Sequence, residues 1–225
     1  MTESTAAKVY DEIVSITNFL VETSLVDRQN YPRKKQVSDG GVVIDFPSAL
    51  PTSSMIKDQN YSEMYLQQVK ASSFNFYMLD GALIQMQYEF WGKRKGLHKA
   101  RLAFLPSPDL SEFQNNPEIY IEDVVFAEVV DKRVVAVPVR FDFDNTDGVA
   151  RSVVHPRSHL TLGQYKNCRI AASRPLSPGV FVDFILRSFY NTAAMELSKG
   201  VPRENHRFLE TVTPEEVNLV HVAIP

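Results

Sequence analysis

The 225-residue chain predicts a single α+β domain over residues 1–225, a largely antiparallel twisted sheet packed by an N-terminal and a C-terminal helix. Three observations carry this prediction. Apolar residues recur at helical spacing near both ends, at Val9, Ile13, Ile16 and Leu20 and again at Val180, Phe181, Phe184, Ile185 and Phe189. Between them, residues 83–90 alternate strictly, with Ile84, Met86, Tyr88 and Phe90 on one side and Gln85, Gln87 and Glu89 on the other. No linker separates independent halves.

The first element is an amphipathic helix over residues 5–25 with Thr5 as its N-cap. Residues 27–60 hold three prolines and two glycines and read as a mobile, loop-rich segment with one short strand at 41–46. Arg28, Arg33, Lys34 and Lys35 give it a dense basic run. The core sheet and the start of the C-terminal helix then occupy 61–190. Ser62 is placed to cap a short helix that ends near Lys70. FNFYML, Asp80-Gly81 and ALIQMQYEFW read as a β-hairpin closed by a primed turn. Further strands are predicted at 99–105, 119–126, 133–143, 158–162 and 168–172, with Pro138 marking an edge or a bulge. Ser177-Pro178 supplies an N-cap and a first-turn proline for the last long helix, whose stripe runs on to Met195 before Gly200 as C-cap. Thr213-Pro214-Glu215-Glu216 is a second helix start, followed by the strand-like NLVHVAI. The helices are expected to share one face of a meandering sheet.

Composition bounds the function classes. Hydrophobic residues make up 44% and charged residues 23%, an ordinary balance for a chain with its own core. A net charge of −3 provides no global field for nucleic acid, although local patches remain. One cysteine excludes an intramolecular disulfide and any multi-thiolate metal site. No run approaches the ~20 apolar residues of a membrane span, and the start MTESTAAKVYDE lacks a signal-peptide core. A cytoplasmic protein with no membrane contact is the expectation. The phosphate loop, dinucleotide fingerprint, serine-hydrolase elbow and zinc-protease motif are all absent, so no cofactor is expected.

Chemistry-bearing residues crowd into 140–177. Alternation places Arg140, Asp142 and Asp144 on one strand face, opposite Val139, Phe141 and Phe143. His159 and Thr161 share a face on a later strand. His155 and His159 are candidate acid and base, with Asp142 orienting one of them. In an extended chain, however, strand rise alone sets them about 13 Å apart. Arg140 and Arg169 are candidate phosphate ligands, with Ser158 and Thr161 as further substrate contacts. Two carboxylates and a histidine would also suffice for a Mg²⁺-dependent nuclease. Against these stand plainer readings: an Arg140–Asp142 salt bridge, Asp144 starting a turn, and histidines bonded to backbone. Cys168 is a nucleophile only if His159 reaches it, and is otherwise a small hydrophobe. The amides after Ser177 form an anion site only if they are not used in capping. The run Gly92-Lys93-Arg94-Lys95-Gly96, with Tyr88 and Trp91 for stacking, is a candidate phosphate-backbone contact.

The blocks DGALIQMQYEF, RFDFD, HPRSHLTLG, CRI and LSPGVFVDFILRSFY resemble, in order, those of an uncharacterised bacterial family known as domain of unknown function 2290, over roughly residues 60–190. The resemblance implies a bacterial or phage-related origin and brings no settled activity. CRI is followed here by AAS rather than PVS, which leaves no family role for the residue after Ile170. The R-x-D-x-D and H-x-x-x-H arrangement is also similar to small bacterial toxin families with strand-borne Arg, Asp and His. Two functions follow as expectations. One is an accessory or effector protein of a defence or toxin-like system, acting through a protein partner held by the N-terminal helix or a sheet edge. The other is a ribonuclease or nucleotide-acting enzyme, metal-independent or Mg²⁺-dependent, built on Arg140, Asp142, His155 and His159.

Overall fold

The computed structural model of the protein describes residues 2–37, 39–49, 60–92, 96–108, 137–165, 167–190, 196–204 and 207–225. The predicted strand at 119–126, Lys93 to Lys95 of the basic run, and Met195 lie outside the described residues. Apolar positions at the spacing of one helix face bury a stripe of α1 (Thr2–Glu22), with Val9, Ile13, Ile16 and Leu20 fully enclosed. Helix α1 begins before Thr5, which therefore lies inside it and is not its N-cap.

Residues 26–45 form three short strands where the sequence predicts one: β1 (Val26–Gln29), β2 (Arg33–Gln36) and β3 (Val42–Asp45). The expected strand is β3. The other two read VDRQ and RKKQ and are largely exposed edge strands, so they carry no hydrophobic alternation to detect. Helix α2 (Tyr61–Lys70) is capped by the Asn60 side chain, which accepts from Ser62 N–H, rather than by Ser62.

The hairpin stands as predicted, with β4 (Phe76–Met78) antiparallel to β5 (Leu83–Phe90). Its turn differs from the primed type. Gly81 N–H donates to Met78 O, Met78 N–H donates to Ala82 O, and within the turn only Gly81 has a positive φ, +83°. That is the three-residue loop in which a glycine absorbs the left-handed step. Then come β6 (Leu97–Leu105), β7 (Val139–Asp144), β8 (Ser158–Leu162) and β9 (Ile170–Ala171). Pro138 precedes β7 instead of interrupting it, and β7 lies between two neighbours rather than at an edge. Among the described residues, all strand pairings are antiparallel in one nine-stranded sheet, ordered β1-β4-β5-β6-β7-β8-β9, with β3 also pairing β5 and β2 pairing β3.

Helix α3 (Pro178–Phe189) starts at Ser177-Pro178 as the sequence requires and ends at Tyr190, so Gly200 is not its C-cap. The short α4 (Pro214–Val217) carries a full capping box between Thr213 and Glu216. The terminal NLVHVAI contributes one bridge, Ala172 to Val222, rather than a strand.

Helices α1 and α3 pack the inner face of the sheet, where Ile84, Met86, Tyr88, Phe90, Leu102, Phe104, Phe141 and Phe143 meet Ile13, Ile16, Phe181 and Ile185. Contrary to the expectation of helices on one face, α2 covers the other. Its Tyr61, Met64 and Tyr65 close a second cluster over Leu83, Ala103 and Leu105. Among the described residues, only the end under α2 is covered by a helix. Among the described residues, no helix is long and apolar enough to cross a membrane.

Candidate functional site

Strand register converts sequence alternation into rows across the outer face. Leu83 pairs with Leu105 in the first row. Next come Gln85, Ala103, Arg140 and Thr161, then Gln87, Arg101, Asp142 and His159. Glu89, Lys99 and Asp144 form the fourth. The face therefore grades from apolar under α2 to charged where, among the described residues, no helix covers it. Gln85 marks the boundary, buried and donating to Gln68 of α2 and to Ser73 O.

Over the charged end lies a cleft of about 380 Å³, lined by Lys99, Arg101, Arg140 and Arg169, by Asp45, Glu89, Asp142 and Asp144, and by His155 and His159. Asp142 is its centre. One carboxylate oxygen accepts from Arg101 Nε at 3.0 Å, the other from Arg140 Nε, and His159 Nε2 stands 3.8 Å from the latter. Burial pushes the Asp142 carboxyl up, but Arg140, Arg101 and His159 together outweigh it and hold it below the usual carboxylate range. The aspartate is therefore ionised at neutral pH. Arg140 is 8% exposed, and its buried Nη1 has no hydrogen-bond partner among the described residues. Lys99 pairs with Asp144 at 3.4 Å, while Arg169 has no partner among the described residues.

His159 is 4% exposed. Its Nδ1 lies 2.9 Å from Pro156 O, an acceptor only, so Nδ1 carries the proton in the neutral ring and Nε2 keeps its lone pair. Burial lowers the ring's pKa, helped by His155 and Arg140, against the pull of Asp142 and the Pro156 carbonyl. The chain bends at Arg157 between the two histidines, and their rings meet edge to face with centroids 5.1 Å apart. The separation expected of an extended chain is thus overturned. The loop between β7 and β8 folds back through an Arg151–His155 bridge, and Val153 adopts φ +66°. A left-handed β-branched residue is strained. Here its N–H is held by Glu216 of α4 at 3.1 Å, and Ser152 bonds Thr213 at 2.8 Å.

The structure brings Arg140, Asp142, His155, His159 and Arg169 together in the cleft. Thr161 neighbours Arg140 in register but does not line it. Ser158 is a correction, because it faces the opposite side from His159 and bonds Thr211 Oγ1 at 2.7 Å. Cys168 lies outside the cleft lining, so the nucleophile reading lacks its geometry. Tyr88 is a correction too, buried in the core with its hydroxyl on Leu176 O. Trp91 packs against His98, the two rings tilted by 39°. Glu12 of α1 accepts from Gly179 N–H at 3.1 Å and so fills the amide cradle after Ser177. Burial pushes the Glu12 carboxyl up to about 7 against the pull of the Gly179 and Glu204 amides.

Sequence reasoning misses Lys99 and Arg101, although their alternation within the predicted strand at 99–105 is a usable signal. Among the described residues, no three His, Cys, Asp or Glu side chains converge as metal ligands. The Asp142 carboxylate is instead engaged by two guanidinium groups.

A family described as "Uncharacterized conserved protein (DUF2290)" matches residues 25–224. No curated protein and no solved structure matches the chain.

Proposed function

The chain belongs to the uncharacterised conserved family DUF2290, and from the chemistry of its cleft we propose an enzyme that cleaves RNA or a nucleotide phosphodiester by acid–base catalysis. The observation that carries this reading is the histidine pair. One imidazole is held neutral with its tautomer set, a second ring lies 5.1 Å away, and Arg169, with no partner among the described residues, lines the same cleft. His159 Nε2 accepts the proton of the attacking hydroxyl, and His155 protonates the leaving oxygen. Asp142, already ionised, stabilises the imidazolium that forms at His159. Arg169 provides the phosphate contact, and Arg140 adds its positive charge beside it.

A buried ion network supports the functional reading for a further reason. Fixing Arg140 and Asp142 in a sheet face costs desolvation that an apolar pair would not incur, so stability alone does not account for it. The partner-binding alternative has less to use. The apolar stripe of α1 is spent on the core, and the exposed edge strand β2 carries Arg33, Lys34 and Lys35, charges that discourage strand addition.

The test is cleavage of short RNA oligonucleotides and of cyclic and linear dinucleotides in the presence of a chelator. H159A is expected to lower kcat about 10²-fold or more, the range of a lost acid–base group. R169Q is expected to raise KM with a smaller change in kcat. Equal cleavage by wild type and H159A would remove the assignment.

A further inference from the structure

We propose that the protein has a second anion site, separate from the cleft, in which Arg174, Arg203 and Arg207 bind a phosphate monoester at the start of α3. A cavity of about 280 Å³ opens there, lined by these three arginines, by Ser177 and by Glu204, with Phe208 and Ile224 among its apolar walls. Arg203 is set by Asp183, which accepts from its Nη2 at 2.9 Å, and Arg174 is set by Glu210. Each guanidinium keeps other N–H groups beyond those bonds. The buried Nε of Arg174 has no hydrogen-bond partner, and exposed Arg207 has none among the described residues.

Ser177 is the second and independent observation. It is 8% exposed, lines the cavity, and stands at the N-cap, yet its hydroxyl makes no capping bond. An N-cap serine ordinarily accepts from the amide two or three residues on. Here the amide two residues on, Gly179 N–H, is taken by Glu12 from α1. The Ser177 hydroxyl is thereby released, and no other partner meets it among the described residues. Gly179 also permits the close approach that places Arg203. A Cβ at this position would stand 2.5 Å from Pro202 O and 2.9 Å from Arg203 Cγ.

The chemistry selects the ligand. Guanidinium forks match phosphate oxygens in pairs, and a hydroxyl adds one donor. Its volume of about 280 Å³ suits one small ligand. Its apolar walls suit an organic group on the phosphate, which favours a monoester over the free ion.

The experiment is an amide chemical-shift titration of the full chain with adenosine 5′-monophosphate and, separately, with inorganic phosphate. It is run in the R169Q background so that the cleft's free arginine is removed. Saturable shifts at Val180 and Phe208 are expected, stronger for the nucleotide and weakened about tenfold or more by R207Q, which removes a charged hydrogen-bond donor. S177A, at a hydroxyl with no bond to lose, is expected to weaken binding without disturbing the rest of the spectrum. Equally tight binding of inorganic phosphate would overturn the monoester. Absent shifts at these amides, or shifts that R207Q and S177A leave unchanged, would overturn the site.

Discussion

The two ends of the outer sheet face are made by the same strands and the same alternation, yet they are opposite in chemistry. At the end under α2, Leu83, Ala103 and Leu105 are closed off by Met64 and Tyr65. Three rows away, each about 7 Å along the strands, Glu89, Lys99 and Asp144 line an open cleft. Alternation alone decides which residues share a face. Whether a helix lands on them decides whether the face can be apolar. Where, among the described residues, no helix covers it, the sheet carries a lattice of opposite charges, and at its border Arg140, Asp142 and His159 are nevertheless largely buried. That border is where desolvated charge is concentrated.

The largest effect should come from breaking that border. D142A would leave Arg140 buried and Arg101 without its counter-charge, at an expected cost of about 3–5 kcal/mol in urea unfolding. Converting the same spot to the chemistry of the covered end, R140M/D142L, should restore near wild-type stability while abolishing phosphodiester cleavage. If D142A costs under about 1 kcal/mol, solvent already screens the network, and the contrast between the two ends is one of composition only. At the covered end, L83A removes a fully buried side chain and should cost about 2–5 kcal/mol. Its KM for a cleaved oligonucleotide should stay at the wild-type value. A shifted KM would mean that the two ends are not independent.

Much of this face is legible in the amino-acid order itself. The side of β5 that carries Gln85, Gln87 and Glu89, and the shared face of Arg140, Asp142 and Asp144, follow from period-two alternation. Other features are not legible there, each for its own reason. The pairing of β6 with β7 joins residues separated by more than thirty positions, so local pattern cannot set Arg101 beside Asp142. The bend at Arg157 changes the distance between His155 and His159, and side-chain spacing in an extended chain says nothing about it. Sequence proximity groups Ser158 with its neighbours, whereas strict alternation turns it to the inner face. Strands β1 and β2 escape because edge strands rich in charge look like loops. The cap at Ser177 is a correct boundary, but only the distant Glu12 reveals why its hydroxyl goes unused.

The inner face provides a buried carboxyl against which the cleft can be compared. Glu12 has its pKa raised from 4.5 to about 7, so the folded state binds this proton more tightly than the unfolded chain. Its contribution to stability is full below pH 4.5 and is lost as pH rises through about 7. At 1.36 kcal/mol per pKa unit, the loss is up to about 3 kcal/mol. E12Q keeps an oxygen for the Gly179 amide and should flatten unfolding free energy across that window. A slope unchanged in E12Q would assign the titration elsewhere.

The smallest expected effect has the opposite sign and belongs to the cleft. His159 has its pKa lowered from 6.5, chiefly by burial, so the unfolded chain takes up this proton first. Its contribution is full above pH 6.5 and is lost as pH falls through the folded-state value. Acidification therefore strengthens the helix layer through Glu12 while it weakens the cleft through His159. Asp142, also lowered, adds a loss in acid only at lower pH, as its own carboxyl protonates. Urea unfolding of E12Q from pH 7.5 to 5 should expose the His159 slope without the opposing one. H159Q in that background should remove it. A decline with acid that persists in E12Q/H159Q would mean that the buried imidazole is not the group held neutral, and the acid–base assignment would then lose its base.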